Sequence, residues 1–224
     1  MNCYICQNST ESDTTWATLL VTKSRLICDD CEQLLPLISG PTCPICMKPT
    51  HGAKKCPDCY KWSKHFTKDP LKRNISLYRY TPEMKAIMSR FKYRGDYEII
   101  HAFESAIQST YKTHFSDQPT IIPIPLHPSR QQQRLFNQAE AIAQKLNQPY
   151  HTNILDRQDN SKQSKKSRYE RITSLNPFTI TQNPPNKILL IDDIYTTGTT
   201  LRQAADLLIK HGAKSVESFT LIRS

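Results

Sequence analysis

The sequence lacks any long hydrophobic run. Its apolar stretches are short, for example Ile188 to Ile191, whereas a membrane-spanning helix needs about 20 consecutive apolar residues. With 38% hydrophobic and 22% charged residues, the chain is also too apolar for a disordered protein. The segment from Met1 to Cys6 has neither the basic nor the apolar region of a secretory signal. We therefore expect a cytoplasmic protein without membrane insertion.

Cysteine is absent after Cys59, and the eight cysteines of the chain all belong to C-x-x-C pairs. The pairs are Cys3/Cys6, Cys28/Cys31, Cys43/Cys46 and Cys56/Cys59. Each pair places two thiolates on one side of a tight turn, so two pairs supply the four ligands of a tetrahedral zinc ion. A reducing cytosol disfavours disulfides, and a thioredoxin-like redox pair would follow a strand instead of recurring in tandem. The cysteines therefore predict two zinc ions.

The pairing of these knuckles is a separate question. Pairing in chain order gives two successive zinc ribbons, whereas a cross-braced arrangement joins the first knuckle to the third. We favour chain order, because the nine residues between Cys46 and Cys56 still permit a short hairpin. Full thiolate coordination leaves no open position for a substrate, so both zinc ions are predicted to be structural.

The character of the sequence changes after the last cysteine. A basic, aromatic connector from Tyr60 to Phe66 precedes segments with ordinary helix and strand periods. We expect a double zinc-ribbon module at residues 1–68 and an α/β domain at residues 69–224. Residues 156–175 interrupt the periodic pattern with basic and polar side chains, so a mobile basic loop or a solvated linker is predicted there.

Apolar periodicity predicts the elements of the α/β domain. A succession of strand, helix and strand near the end of the chain indicates a parallel sheet flanked by helices. Helices are predicted near residues 32–36, 82–91, 99–111, 138–146 and 201–208, and strands near residues 75–80, 120–125, 187–191 and 216–222.

The segment from Ile188 to Thr200 carries the clearest chemistry. A buried strand places Asp192 and Asp193 at the carboxyl-end edge of the sheet, where ligands bind in open α/β folds. The following turn opens a helix, so the backbone N–H groups of residues 197–200 can surround a phosphate. Gly198 permits close approach of the backbone, and the threonine hydroxyls add donors. The two carboxylates suit the hydroxyls of a ribose, either directly or through a divalent cation.

No Gly-Lys-Ser/Thr follows the glycine, which excludes a Walker A loop. Asp-Asp followed two residues later by Thr-Thr-Gly-Thr-Thr instead resembles the phosphoribosyl pyrophosphate (PRPP) motif of type I phosphoribosyltransferases. The resemblance extends to the ComF (ComFC) family, in which a zinc ribbon precedes such a domain. It is carried by the C-x-x-C knuckles, residues 91–97, 123–130, 134–139 and 163–171, and the PRPP segment.

The resemblance implies a type I phosphoribosyltransferase-like parallel sheet and assigns roles to several residues. Residues 124–130 would form the loop on the pyrophosphate side, and residues 156–175 a flap over the ligand. PRPP, with Mg²⁺, would be bound by Asp192, Asp193, Thr196, Thr197, Gly198, Thr199 and Thr200. Pyrophosphate or nucleic acid would be contacted by Arg130, Arg134, Lys165, Lys166 and Arg168.

Catalysis is an open question at this stage. Purine-salvage transferases carry an aspartate where this chain has Thr196, and that aspartate is their usual proton acceptor or purine contact. Its absence argues against a hypoxanthine-guanine type enzyme. The difference does not exclude transferases whose nucleophile needs no such base, such as the orotate or amidotransferase kinds. Cys3 belongs to a zinc knuckle, so it is not the nucleophile of a glutaminase.

Three functions are compatible with the sequence. The family implies a late competence protein that handles incoming single-stranded DNA in natural transformation, together with a ComFA-like helicase and other DNA-processing factors. A formal charge of +10 and the connector at Trp62, Lys64, His65 and Phe66 fit such a partner. Trp62 would either stack on a base or seal the interface between ribbon and α/β domain. The alternatives are an active phosphoribosyltransferase with an unknown acceptor and a PRPP-sensing regulator without DNA contact.

Overall fold

The structure, a computed structural model, describes residues 2–10, 26–127, 130, 133–158 and 176–224. Its helices are α1 Asp29–Gln33, α2 Pro57–His65, α3 Pro82–Tyr93, α4 Glu104–His114, α5 Gln138–Lys145 and α6 Thr199–Lys210, with a 3₁₀ helix at Tyr97–Phe103. Its strands are β1 Asn74–Arg79, β2 Thr120–Pro123, β3 Leu155–Arg157, β4 Phe178–Ile180, β5 Lys187–Tyr195 and β6 Ser215–Arg223. Among the residues described, no helix is both long and apolar enough to cross a membrane.

Four parallel strands form the central sheet in the order β1, β6, β5, β2. The predicted parallel sheet flanked by helices is therefore confirmed. β3 and β4 form a separate antiparallel pair. Successive side chains of a strand point to opposite faces, and β5 accordingly divides its apolar residues between two hydrophobic clusters. Leu189 and Ile191 pack with α3 and α4, whereas Ile188 and Leu190 pack with α6.

Local signals position the helix that follows β1. The hydroxyl of Thr81 accepts a hydrogen bond from the backbone N–H of Met84 at 3.2 Å, and Pro82 occupies the first helical turn. The predicted apolar stripe is buried, and its members are Met84, Ile87, Met88 and Phe91. Asn137 caps α5 in the same way, through a bond from the N–H of Ala139.

Several predicted elements differ from the structure. Of the apolar run at residues 120–125, only Thr120–Pro123 forms a strand. The short helix expected at residues 32–36 lies at Asp29–Gln33, because it begins directly at the knuckle and places Asp29 and Asp30 in its first turn, where the helix dipole favours acidic groups. The single helix expected at residues 99–111 divides into the 3₁₀ helix and α4. Such 3₁₀ turns are frequent at the start of an α-helix.

The strand expected at residues 187–191 is longer than predicted. β5 continues to Tyr195 because β6 pairs with it as far as Arg223, although β2 stops at Pro123 opposite Ile191. Pairing with a neighbouring strand outweighs the low strand propensity of aspartate. Asp192 and Asp193 therefore lie within the strand, beyond the end of β2.

Candidate functional site

The turn between β5 and α6 has the geometry of an anion site. Gly198 adopts the left-handed conformation (φ +79°) at the N-cap, and no side chain caps the helix. The first N–H groups of an α-helix have no partner within the helix, and the first turn of α6 contains no acidic residue. Thr196, Thr197 and Thr199 are exposed, and the hydroxyls of Thr197 and Thr199 lie 2.8 Å apart. We call residues 196–200 the phosphate loop.

A glycine is required at the centre of this loop. The positive φ of Gly198 is one that other residues rarely adopt. A Cβ atom at this position would overlap the hydroxyl of Tyr195 and the guanidinium of Arg202. The loop therefore packs directly against two buried side chains.

The two aspartates of β5 have different surroundings. Asp193 forms an ion pair with Lys92, with Nζ and Oδ2 2.6 Å apart and both side chains 14% exposed. Burial, and then the charge of Asp193, raises the pKa of Asp192 to about 7. Asp192 accepts a hydrogen bond from the backbone N–H of Asp193 at 2.9 Å. Lys92, at the end of α3, is a site residue that the sequence did not single out for this role.

Arg157 is a second site residue that sequence reasoning missed. The sequence placed it in the basic loop, but the structure places it in β3. Its Nε is the one buried side-chain nitrogen or oxygen without a hydrogen-bond partner within the described part of the chain. Burial, and then the charge of Arg130, lowers its pKa, whereas the charge of Asp192 raises it. A half-buried cation near Arg130 and Asp192, with a buried and unused donor at Nε, is suited to an anionic ligand.

Arg134, which was also predicted to contact pyrophosphate, has other partners in the structure. Arg134 donates a hydrogen bond to Gln138 Oε1 at 2.7 Å, and its guanidinium lies 5.3 Å from the centre of the Tyr93 ring. It lines a cleft of about 870 Å³ between α5, the end of β2 and the β3–β4 pair. Lys165, Lys166 and Arg168 lie outside the described residues.

Trp62 lies at the interface between α2 and the phosphate loop. Its indole Nε1 donates to the backbone oxygen of Thr197 at 2.7 Å. The guanidinium of Arg202 lies 5.0 Å from the centre of its ring, and Phe66 stacks at 5.8 Å between ring centres. Of the two roles predicted for Trp62, the structure places it in the interface role.

The eight cysteines form two groups in chain order, as the knuckle spacing predicted. The first group is Cys3, Cys6, Cys28 and Cys31, and the second is Cys43, Cys46, Cys56 and Cys59. Within each group the sulfur atoms all lie within 4.8 Å of one another. Four ligands at the usual Zn–S length are about 3.8 Å apart in a tetrahedron, so each group fits one zinc ion. Such sites supply folding energy and no open coordination position.

One cysteine of the second group has a lowered pKa. A hydrogen bond from Cys59 and the positive charge of Arg223 lower the pKa of Cys46 to about 4, against the effect of burial. A thiolate, and not a thiol, binds metal.

Comparison with known proteins identifies the family. Residues 134–224 match the phosphoribosyl transferase domain family. Competence protein ComFC of Bacillus subtilis (strain 168) is 42% identical over 228 residues, covering 99% of this chain and 95% of that protein. The chain belongs to the ComFC family. ComFC of Streptococcus pneumoniae is 34% identical, with 100% of both chains covered.

More distant relatives of this ComFC-family chain include competence protein F of Haemophilus influenzae, which is 26% identical over 88% of this chain and 90% of that protein. DNA utilization protein YhgH of Escherichia coli (strain K12) is 23% identical over 88% of this chain and 97% of that protein. Family membership and the phosphoribosyltransferase-like fold are thus as the sequence motifs predicted.

Proposed function

We propose that this protein is a cytoplasmic competence factor that binds incoming single-stranded DNA and holds PRPP in its phosphate loop. The observation that carries the proposal is similarity over the whole chain to two proteins named competence protein ComFC. The name DNA utilization protein, given to a more distant relative, also points to DNA as the partner. A ComFA-like helicase and other DNA-processing factors would act with it, in contact with the zinc module.

The proposed PRPP site uses three groups of residues. The phosphate loop, residues 196–200, would bind the 5′-phosphate through the N–H groups that open α6. Asp192 and Asp193 would bind the ribose hydroxyls, directly or through Mg²⁺. Arg130 and the unpaired Nε of Arg157 would neutralise the pyrophosphate. Arg134, Lys165, Lys166 and Arg168 stay candidates for contacts with pyrophosphate or nucleic acid.

A surface for single-stranded DNA lies on α2. Lys61 and Lys64 are exposed on this helix, and the side chain of Tyr60 is 59% exposed. The ammonium of Lys55 lies 5.6 Å from the centre of the Tyr60 ring. Cations beside an exposed ring are the combination that binds single strands without sequence preference. DNA on this surface would lie beside the phosphate loop, because Trp62 of the same helix contacts Thr197.

Fluorescence anisotropy of a labelled single strand tests this surface. The double variant Lys61→Gln, Lys64→Gln should bind more weakly and lower the slope of log affinity against log salt by about 1.4, which is about 0.7 for each phosphate that is no longer neutralised. The matched control is Lys85→Gln, Lys112→Gln, which removes two exposed charges from α3 and α4. Equal effects of the two variants would refute the α2 surface. Absence of any DNA binding at low salt would refute the DNA-handling role and leave a PRPP-sensing regulator.

A second candidate function is an active phosphoribosyltransferase with an unknown acceptor. The adjacent Asp192 and Asp193 before the phosphate loop favour it, because the same residues would orient PRPP for transfer. Replacing both by Asn should abolish PRPP binding in calorimetry under either function. Only a transferase releases pyrophosphate, so a wild-type protein that binds PRPP and releases none with any base or amine would refute this candidate.

We also propose that the functional boundary lies between residues 1–68 and residues 69–224. Asp69, the first residue of the second unit, is bound to that unit through the guanidinium of Arg202, with Nη2 and Oδ2 2.9 Å apart. The units are nevertheless in close contact, because the backbone N–H of Asn74 donates a hydrogen bond to the backbone oxygen of Ile45 at 2.7 Å. Limited proteolysis should therefore cut near residue 68 only after zinc is removed.

A further inference from the structure

Two buried arginines of the α/β domain reach the second cysteine group. Arg223, at the end of β6, is 3% exposed, and its Nη2 lies 3.4 Å from Cys46 Sγ. Its Nε also donates to the backbone oxygen of Cys46 at 3.0 Å. Arg202, in α6, is fully buried, and its Nη2 lies 4.0 Å from Cys59 Sγ. Each arginine thus contacts a different metal-binding cysteine.

The same guanidinium groups hold the phosphate loop. Nη1 of Arg223 donates to the backbone oxygens of Tyr195 and Thr196 at 3.2 and 3.0 Å. Nη1 of Arg202 donates to the hydroxyl of Tyr195 at 2.5 Å. Because a Cβ on Gly198 would overlap both this hydroxyl and Arg202, the loop rests directly on the arginine. One layer of two arginines and a tyrosine therefore separates the metal ligands from the loop.

The charges explain why arginines occupy this layer. A zinc ion with four thiolates carries a net charge of −2, and two guanidinium groups balance it. A buried cation is costly unless it is paired. Arg202 is also paired with Asp69, and Arg223 lies 3.8 Å from Asp58, which in turn pairs with Lys48 at 2.9 Å. Without the charged sulfur atoms, each arginine keeps its aspartate but loses the anion on the side of the metal group, which helps to hold its position beneath the loop.

We propose that Arg202 and Arg223 are positioning residues that make the shape of the phosphate loop depend on zinc in the second cysteine group. The zinc there serves the ligand site as well as the ribbon. The inference rests on the proposed function only for the identity of the loop's ligand. In this proposal the two arginines donate hydrogen bonds to the cysteines that bind the second zinc. These bonds orient the cysteine side chains and stabilise their negative charge.

The first experiment measures zinc loss in variants. Arg202→Gln and Arg223→Gln are made in a protein that also carries Trp16→Phe, so that Trp62 is its one tryptophan. Each variant should release the second zinc to a chelator about 10- to 100-fold faster than the parent protein with Trp16→Phe alone. Maleimide labelling of the released thiols, identified by mass spectrometry, tells the two groups apart. Arg79→Gln is the matched control, because Arg79 is exposed and lies opposite Arg223 in the neighbouring strand. Parent-like zinc loss from both Gln variants would overturn the proposal.

The second experiment uses unaltered arginines, so it does not depend on how the variants fold. With Trp16 replaced, Trp62 is the one remaining tryptophan, and it is bonded to Thr197 of the loop. Loss of the second zinc should change its emission, and loss of the first should not. Emission that is unchanged when the second zinc leaves would overturn the proposal.

The third experiment tests the coupling in the opposite direction. By linkage, a loop ligand should protect the second zinc by the same factor by which that zinc raises ligand affinity. Ribose 5-phosphate at saturation should raise the zinc affinity of the second group about fivefold or more, measured at equilibrium against a competing chelator, and leave the affinity of the first unchanged. If ribose 5-phosphate binds in calorimetry but does not change how tightly the second zinc is held, the coupling is overturned. Absence of binding would refute the proposed PRPP site instead, and the Trp62 emission would then decide the inference.

Discussion

The two cysteine groups share one sequence pattern but have different structural surroundings. In the first group Cys6 is exposed and Cys28 is partly exposed, whereas all four cysteines of the second group are buried. Within the described residues, no lysine or arginine donates a hydrogen bond to a sulfur of the first group, and the second receives donors from Arg202 and Arg223. Identical ligand sets thus differ in whether the α/β domain supplies hydrogen-bond donors to their sulfur atoms.

The difference follows from the hydrophobic cluster that each group joins. The first group contributes Cys3 and Cys31 to the cluster of α3 and α4, and it is held there by a hydrogen bond from Arg90 to the backbone oxygen of Ile5. The second group packs with Leu71 and with the inner face of α6, which begins at the phosphate loop. Loss of the second metal should therefore affect the α/β domain more than loss of the first.

The largest expected effect is a contrast between cysteine variants. Cys59→Ser should destabilise the protein by more than about 4 kcal/mol, because loss of a buried metal site is among the most destabilising changes. Cys6→Ser should abolish binding of the first zinc but leave the α/β domain folded, since Cys6 is exposed. Urea unfolding followed by circular dichroism, with zinc counted by mass spectrometry, measures both. Equal losses of stability would show that the two groups are equivalent.

A smaller effect is expected from glycine variants that share one backbone conformation. Gly198 and Gly52 both have φ +79°, but a Cβ on Gly52 would meet nothing within 4 Å. Gly52→Ala should lower the free energy of unfolding by about 1 kcal/mol, because of its backbone conformation alone. Gly198→Ala should cost about 2–4 kcal/mol, because overlap with Tyr195 and Arg202 is added. Thermal unfolding measures the difference, and calorimetry should show at least tenfold weaker binding of ribose 5-phosphate to Gly198→Ala, by about 1.4 kcal/mol.

The anchor of the first group gives a third contrast. Arg90 pairs with Asp96 at 2.5 Å and also bonds to Ile5. Arg90→Ala should cost about 1–3 kcal/mol and speed chelation of the first zinc while leaving the second unchanged. Lys85→Ala, on an exposed position of the same helix, is the control and should change neither. Faster loss of the second zinc would contradict the separation of the two groups.

The sequence predicts those features whose signals are local. The C-x-x-C spacing leads to the metal groups, and the Asp-Asp and Thr-Gly pattern leads to the turn where α6 begins. Arg202 and Arg223 could not be assigned, because their partners Asp69 and Cys46 are 133 and 177 residues away along the chain. In the sequence each is an ordinary charge in a helix or at a strand end.

Arg157 and Lys92 escaped prediction for the same physical reason. A long cationic side chain is most often exposed, and only tertiary packing shows that Arg157 is half-buried near Asp192, with its Nε shielded from solvent. Lys92 lies on α3, and its partner Asp193 lies on β5, 101 residues later. The end of β5 was misplaced because pairing with β6, and not local propensity, determines where that strand stops.

The smallest expected effect tests a single bond between the ribbon and the loop. Trp62→Phe keeps the ring stacked on Phe66 but removes the donor to Thr197, so it should cost about 0.5–1.5 kcal/mol. Tyr60→Phe, whose side chain is 59% exposed on the same helix, is the control and should be neutral. If the second group positions the loop, Trp62→Phe should weaken ribose 5-phosphate binding in calorimetry by a few fold without altering release of the first zinc. Unchanged affinity would show that the arginine layer alone connects metal and loop.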